Sequence, residues 1–419
     1  MWSKPRGATA QTMKPPPIHV PVTSGERIAS LDVLRGFALL GVLVMNMQLF
    51  SMIEASLMNP AAFGDFTGIN RIVWITTYLF GDLKFMANFS MLFGAGILLM
   101  TQRAEARTGK SAGLHYQRMF WLMMIGMVHA YVFWYGDILV SYAVTGMAVY
   151  LLRRLPARWL LGLGAVALVP PSLLFLFCQL TLQWWSPESL SEILAEWQPN
   201  SEQVASELAA YRGGWWAQTA YRAPSSLMAQ VFLIPLWAGW RAGGMMLIGM
   251  ALLKSGVLTA ERSKRFYMVM AVAGMALGLP VVAGGIVFNF ANNWSVERSM
   301  FLGYQFNYWG SVGVGLGYLA IIMLMVKSGA LRWLQEGLSA MGKMALSNYL
   351  LQTLVCTTLF YGHGFGLFGC VDRWHQLLIA LAILVAQMAV SRGWLRWFRY
   401  GPMEWLWRSL SYRRWQPLR

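Results

Sequence analysis

The stretch SLDVLRGFALLGVLVMNMQLF, Ser30 to Phe50, decides the fold class. It is long enough to cross a bilayer, which takes about 20 mostly apolar residues of helix. Even so, it carries Asp32, Arg35 and Asn46. Runs of this kind recur along a chain of 419 residues that is 57% hydrophobic and only 12% charged, with mean hydropathy +0.48. That balance excludes an ordinary soluble domain. Barrel strands would show as short alternating segments between turns, whereas these runs are long and unbroken, so helices are predicted. The expected fold is all-α, a polytopic membrane bundle of about ten helices by the length rule, with spans near 33–52, 78–101, 117–135, 137–152, 157–182, 228–253, 266–289, 309–327, 344–361 and 374–391.

The charges between the runs set an orientation. Lys and Arg gather before residue 28 and in 103–118, 153–158, 254–265, 327–343 and 392–419, while the intervening loops hold most of the acids. Basic loops stay cytoplasmic, so both termini are expected there. The formal charge of +16 then reflects topology and contact with anionic lipid, and nucleic acid is not an expected partner. Residues 1–27 read as a disordered, Pro-rich cytoplasmic leader, 28–400 as the membrane domain and 401–419 as a basic aromatic cytoplasmic tail. Within the domain, 184–226 reads as an extracytoplasmic loop of two short helices with a capping signature at Ser189 and Glu192. Cys178, Cys356 and Cys370 form neither a disulfide framework nor a zinc spacing, and no metal site is expected. A phosphate-binding glycine loop and a Gly-x-Ser-x-Gly elbow are likewise absent from the sequence.

Ionisable groups within membrane helices are costly and by default mark a functional site. Asp32 and Arg35 stand three apart and share a face, with Asn46 about three turns further on. Asp82 and Lys84 form a second polar cluster, and Arg241 lies deep in an apolar run among Ala238, Gly239, Ala242, Gly243 and Gly244. Arg241 needs a partner, and Asp82 is one candidate. Asn348 and Gln352, four apart beside Ser347, can read a polar substrate or tie helices together. His129 and Asp137 in VHAYVFWYGDIL supply an imidazole and an acid able to orient it, the pairing a general base requires. Glu404 sits in an aromatic tail segment that reads as an interfacial anchor or as a cap on a coenzyme pocket.

The segment RIASLDVLRGFALLGVLVMN, residues 27–46, resembles the opening signature of the YeiB family of bacterial inner-membrane proteins, known as a domain of unknown function. FMANFSMLFGAG at 85–96, GMVHAYVFWYGDILVSYAVTG at 126–146, GKMALSNYLLQT at 342–353 and GPMEWLWRSLSY at 401–412 extend the likeness along most of the chain. The resemblance implies an inner-membrane, multi-pass protein. More distantly it is similar to transmembrane acyltransferases, such as heparan glucosaminide acetyltransferase, that pass an acyl group from cytosolic coenzyme A to a sugar. It implies that Asp32, Arg35, Gly36 and Asn46 line an acyl-transfer tunnel. In that relative a catalytic His closely follows the first-span Asn, but residues 47–66 here contain none. His129 takes that place in our reading.

The expected function is therefore acyl transfer from acyl-coenzyme A, acetyl-coenzyme A being the simplest donor, to a sugar or other small polar envelope metabolite. His129 would be the base and Asp137 its orienter. Asp32, Arg35, Asn46, Asp82, Lys84, Arg241, Asn348 and Gln352 would bind substrate. The alternative is a transporter or permease for a small solute, with a membrane scaffold third. Homo-oligomerisation is left open.

Overall fold

A computed structural model describes residues 28–419, and every regular element among them is helical. The expected leader, 1–27, lies outside the described residues. The first helix is Ala29–Ser51, with Asp32 in its first turn, where a carboxylate complements the positive end of the helix dipole. It stops at Met52, whose backbone is extended.

Seven helices are long and apolar enough to cross a membrane: Ala29–Ser51, Gly68–Thr108, Ala157–Trp184, Trp215–Lys254, Lys264–Ala291, Val296–Ser328 and Arg373–Trp397. The protein is thus a membrane helical bundle, and seven of the ten expected spans fall in helices of that length. The other three runs form α-helices of 17, 11 and 16 residues, Ala112–Val128, Leu139–Val149 and Ala345–Phe360. Ala112–Val128 runs on through His129–Phe133, while the length of the other two also suits helices buried by their neighbours. Burial separates the spans by place. The apolar windows of Ala157–Trp184, Lys264–Ala291 and Arg373–Trp397 are 28%, 28% and 22% buried, against 56% and 61% for the first two spans. The former present their apolar faces outward, and the latter form the centre.

Small residues set how closely the central helices approach. A Cβ on Gly36 would run into the Leu338 carbonyl, and one on Gly342 would meet the Asp32 carbonyl. The first helix and helix Arg332–Lys343 therefore cross backbone to backbone. Gly94 against Met246, and Gly249 against Met91, repeat the arrangement between Lys84–Thr108 and Gly239–Lys254. The second span breaks at 81–83, where Leu83 is left-handed, and this break carries Asp82.

The 184–226 segment forms three helices, Pro187–Trp197, Ser201–Arg212 and Trp215–Met228. Ser186 caps the first by accepting from the Ser189 N–H, in place of the expected Ser189 cap. Pro187 explains the earlier start, because its fixed φ and missing N–H suit the first helical position. Asn200 and Gln203 form a full capping box on the second. The segment is tied down where the Trp197 indole donates to the Trp294 carbonyl at 2.7 Å and Asn59 donates to the Trp197 carbonyl at 3.1 Å.

Gly36→Ala should destabilise the protein by about 1–3 kcal/mol, the usual cost of overpacking, seen as a lower unfolding temperature in detergent. Gly96→Ala, at a helical position with open space around it, should be neutral or slightly stabilising.

Candidate functional site

Helix Ala112–Val128 continues into one π-helical turn, His129–Phe133, before Trp134 becomes extended. Single π turns of this kind are frequent at functional sites, and this one leaves His129 only 1% exposed. Asp137, in the following turn, does two things at once. Its Oδ1 accepts from the Val140 N–H at 2.8 Å, at the start of helix Leu139–Val149, while Oδ2 lies 2.7 Å from His129 Nδ1. With Nδ1–H donating to the carboxylate, Nε2 is left to accept. Thr353 meets it there, with Oγ1 at 2.9 Å. Sequence reading paired the His with the Asp eight residues on but missed Thr353, which comes from a helix 224 positions away.

The dyad is one end of a buried polar band. Tyr349, one turn before Thr353, sets its ring 5.1 Å from the imidazole and lies within electrostatic reach of Asp137 and Tyr142. The Tyr142 hydroxyl is 2.7 Å from Ser90 Oγ and within reach of Arg241. At the other end, Lys84 Nζ donates to Asn307 Oδ1 at 2.6 Å and to the Tyr78 carbonyl at 2.6 Å, while Asn307 Nδ2 donates to Asp82 Oδ2 at 2.6 Å.

Arg241 is 1% exposed. It donates to the Tyr308 carbonyl at 3.0 Å and Ser311 Oγ at 2.7 Å, and its guanidinium carbon lies 4.5 Å from the Tyr308 ring centre. Asp82 feels its charge but is bound through Asn307, so the direct pair entertained from sequence does not form. Arg241 Nε has no hydrogen-bond partner. Two cations and one carboxylate meet here, an imbalance that suits an anionic group.

The other candidates lie apart. Arg35 Nη1 donates to Asp32 Oδ1 at 3.0 Å, but Asp32 and Phe50, which stacks on Trp134 beside the dyad, are 18 residues apart, or about 27 Å along the axis. Asp32 and His129 therefore do not share one pocket. Asp32 Oδ2 is buried and without a partner. Asn46 is half-buried between the two ends. Asn348 and Gln352 join helices: Asn348 Nδ2 donates to Ser391 Oγ at 3.0 Å, Gln352 Nε2 to Gln387 Oε1 at 2.9 Å, and Gln387 Nε2 to the Asn348 carbonyl at 2.9 Å. The Glu404 carboxylate caps helix Ala345–Phe360, accepting from the Leu346 and Ser347 N–H groups and the Ser347 hydroxyl. Burial raises its pKa, opposed by those hydrogen bonds. Among the described residues no three His, Cys, Asp or Glu side chains gather as a metal site.

Residues 252–414 match the family described as protein of unknown function (DUF418). Over 401 residues the chain is 32% identical to the Uncharacterized protein YeiB of Escherichia coli (strain K12), covering 93% of this chain and 97% of that one. The chain belongs to the YeiB, or DUF418, family. It is also 30% identical over 421 residues to the Uncharacterized protein YxaH of Bacillus subtilis (strain 168), covering 95% and 97% of the two chains. The matched segment takes in Thr353 and Tyr349, and the YeiB and YxaH likenesses cover nearly the whole chain.

Replacing Asp137 separates its two tasks. Asp137→Ala leaves both the Val140 N–H and His129 Nδ1–H unpartnered and should cost about 2–6 kcal/mol, at about 1–3 per buried orphan. Asp137→Asn keeps an acceptor for Val140 and should cost less, with thermal unfolding as the measurement.

Proposed function

We propose that this YeiB-family protein is a membrane acyltransferase that moves an acyl group from acyl-coenzyme A to a hydroxyl or amine of a small polar envelope metabolite. The observation that carries the reading is the line Asp137, His129, Thr353. A carboxylate orienting an imidazole that faces a hydroxyl is the arrangement of an activated nucleophile. His129 Nε2 takes the proton of the attacking group as its oxygen or nitrogen bonds to the acyl carbon. The carbon–sulfur bond breaks, and the coenzyme A thiolate leaves. Thr353 holds the place of that attacking group, either accepting the acyl chain first or yielding the position to the acceptor.

The polar band fits a substrate path, with Arg241, Lys84 and Asp82 holding an anionic or polar portion. At the far end of the first helix Arg35 remains partly exposed, and Asp32 Oδ2 is an acceptor without a donor. That pair suits a phosphate and an amide of the coenzyme approaching from the cytoplasmic side. Transport is the second reading, favoured by the buried Lys84 and Arg241 near Asp82, and it predicts solute flux without acyl-group consumption.

The test is mass-spectrometric detection of acyl-group loss from acetyl-coenzyme A with purified protein and a panel of amino sugars and polar envelope metabolites. His129→Ala should lower turnover by about 10²–10⁴, the usual contribution of a general base. Thr353→Ser should retain activity and Thr353→Val lose it. Unchanged turnover in folded His129→Ala protein would sink the assignment, and flux abolished by Arg241→Ala without acyl transfer would favour transport.

A further inference from the structure

At the end of the bundle that carries the 184–226 segment lies a second group of side chains that acyl transfer leaves unused. Glu54, just past the first helix, and Glu207, in helix Ser201–Arg212, are held together by the Glu54 N–H donating to Glu207 Oε1 at 2.9 Å. Glu207 is buried, whereas Glu54 is exposed. Glu196, from helix Pro187–Trp197, adds its charge to that acting on Glu54. No ion pair of Glu54 or Glu207 occurs among the described residues.

Four tyrosines wall the carboxylates. The Tyr211 ring is 4.9 Å from that of Tyr361 and 5.4 Å from that of Tyr221, and the Tyr221 hydroxyl is hydrogen-bonded to Glu207. Tyr135 lies within electrostatic reach of Glu54, Glu207, Tyr211 and Tyr361. The hydroxyls of Tyr211 and Tyr361, residues 1% and 0% exposed, have no hydrogen-bond partner. Both feel the charges of Glu54 and Glu207. A purely structural cluster would satisfy such groups, since a buried orphan is costly. The nearby cation, Arg222, acts on Tyr211 and Tyr361, but its guanidinium is committed to the Tyr131 and Phe133 carbonyls and to Thr219.

We propose that this acidic, tyrosine-walled cleft binds an organic ammonium ion. The carboxylates supply charge and acceptors, the ring faces supply cation–π attraction, and the two unpartnered hydroxyls complete a polar shell around the ligand. A calcium ion would require six to eight oxygens, whereas no three His, Cys, Asp or Glu side chains gather as a metal site among the described residues, and a neutral polyol would leave the charge of the paired acids uncompensated. The inference stands apart from the acyl-transfer reading. Trp134, which lies between Tyr135 and His129 in ring-to-ring contact with both, places the cleft beside the dyad. An ammonium held by carboxylates keeps its proton, so under that reading a different group of the ligand, a hydroxyl, would be acylated.

Protonation provides an independent handle. Burial raises Glu207 to about 6 against its hydrogen bonds from Glu54 and Tyr221. That pKa lies above the ordinary carboxylate value, so the free protein loses stability as pH rises from about 4.5 through 6. A bound cation should reverse that loss.

The experiment titrates the full-length protein in detergent with ethanolammonium, using ethylene glycol and calcium chloride as controls, and reads unfolding temperature and ligand-observed NMR. Ethanolammonium should bind at least tenfold more tightly than ethylene glycol at pH 7.5 and weaken several-fold by pH 5.5. Glu207→Gln and Glu54→Gln should each weaken it about tenfold, and Tyr361→Phe several-fold. His129→Ala should still bind, so failure of acyl transfer and failure of this site are distinguishable. Equal binding of ethylene glycol, tighter binding of calcium, or unchanged affinity in folded Glu54→Gln and Glu207→Gln would overturn the proposal.

Discussion

The crossing of the first helix with helix Arg332–Lys343 governs the arrangement of the rest. Gly36 and Gly342 bring the two backbones into contact, each occupying the space against the other helix's main chain. Within a bilayer apolar burial gives helices little reason to associate, so close packing of this kind has to supply the attraction. The consequence runs along both partners. Helix Ala345–Phe360 starts two residues after Lys343, so the crossing also locates Thr353 and Asn348. At the other end of the first helix, Phe50 stacks on Trp134 at 4.0 Å, next to His129. One contact between glycines thereby fixes both sides of the dyad's surroundings.

Around that frame the buried polar groups are arranged by the cost of leaving them alone. Unpaired donors and acceptors in a medium of low dielectric are expensive, and most here are matched. Asn348, Gln352, Gln387 and Ser391 satisfy one another between two helices. Glu404 fills the vacancy at a helix N-terminus that backbone geometry always creates. The buried atoms left without a partner include Asp32 Oδ2, Arg241 Nε and the hydroxyls of Tyr211 and Tyr361. These four fall at three separate places, the near end of the first helix, the polar band and the acidic cleft.

These three places divide the candidate chemistry in a way that a single tunnel does not. The Asp32–Arg35 pair lies a helix length from the imidazole. Asp82 and Lys84 share one network through Asn307, and Arg241 bonds to the neighbouring Tyr308 and Ser311. Residues that looked like ligands by type, Asn348 and Gln352 above all, spend their hydrogen bonds on holding helices together. Arg222 does the same with backbone carbonyls freed where the π turn ends.

The membrane class, the helical architecture and the short-range pairs were legible in the sequence. Composition, run length and three-residue or eight-residue spacings are local properties, and Asp32 with Arg35, and His129 with Asp137, are separated by too little chain to be far apart. Tertiary structure decided the remainder. Thr353 reaches His129 across 224 positions and Glu207 reaches Glu54 across 153, and no periodicity within either segment encodes the other. Seven of the ten expected runs form helices of spanning length and three form shorter α-helices. Apolarity records that a residue avoids water, but lipid and neighbouring helices satisfy it equally, so only packing tells a short buried helix from one that crosses the bilayer.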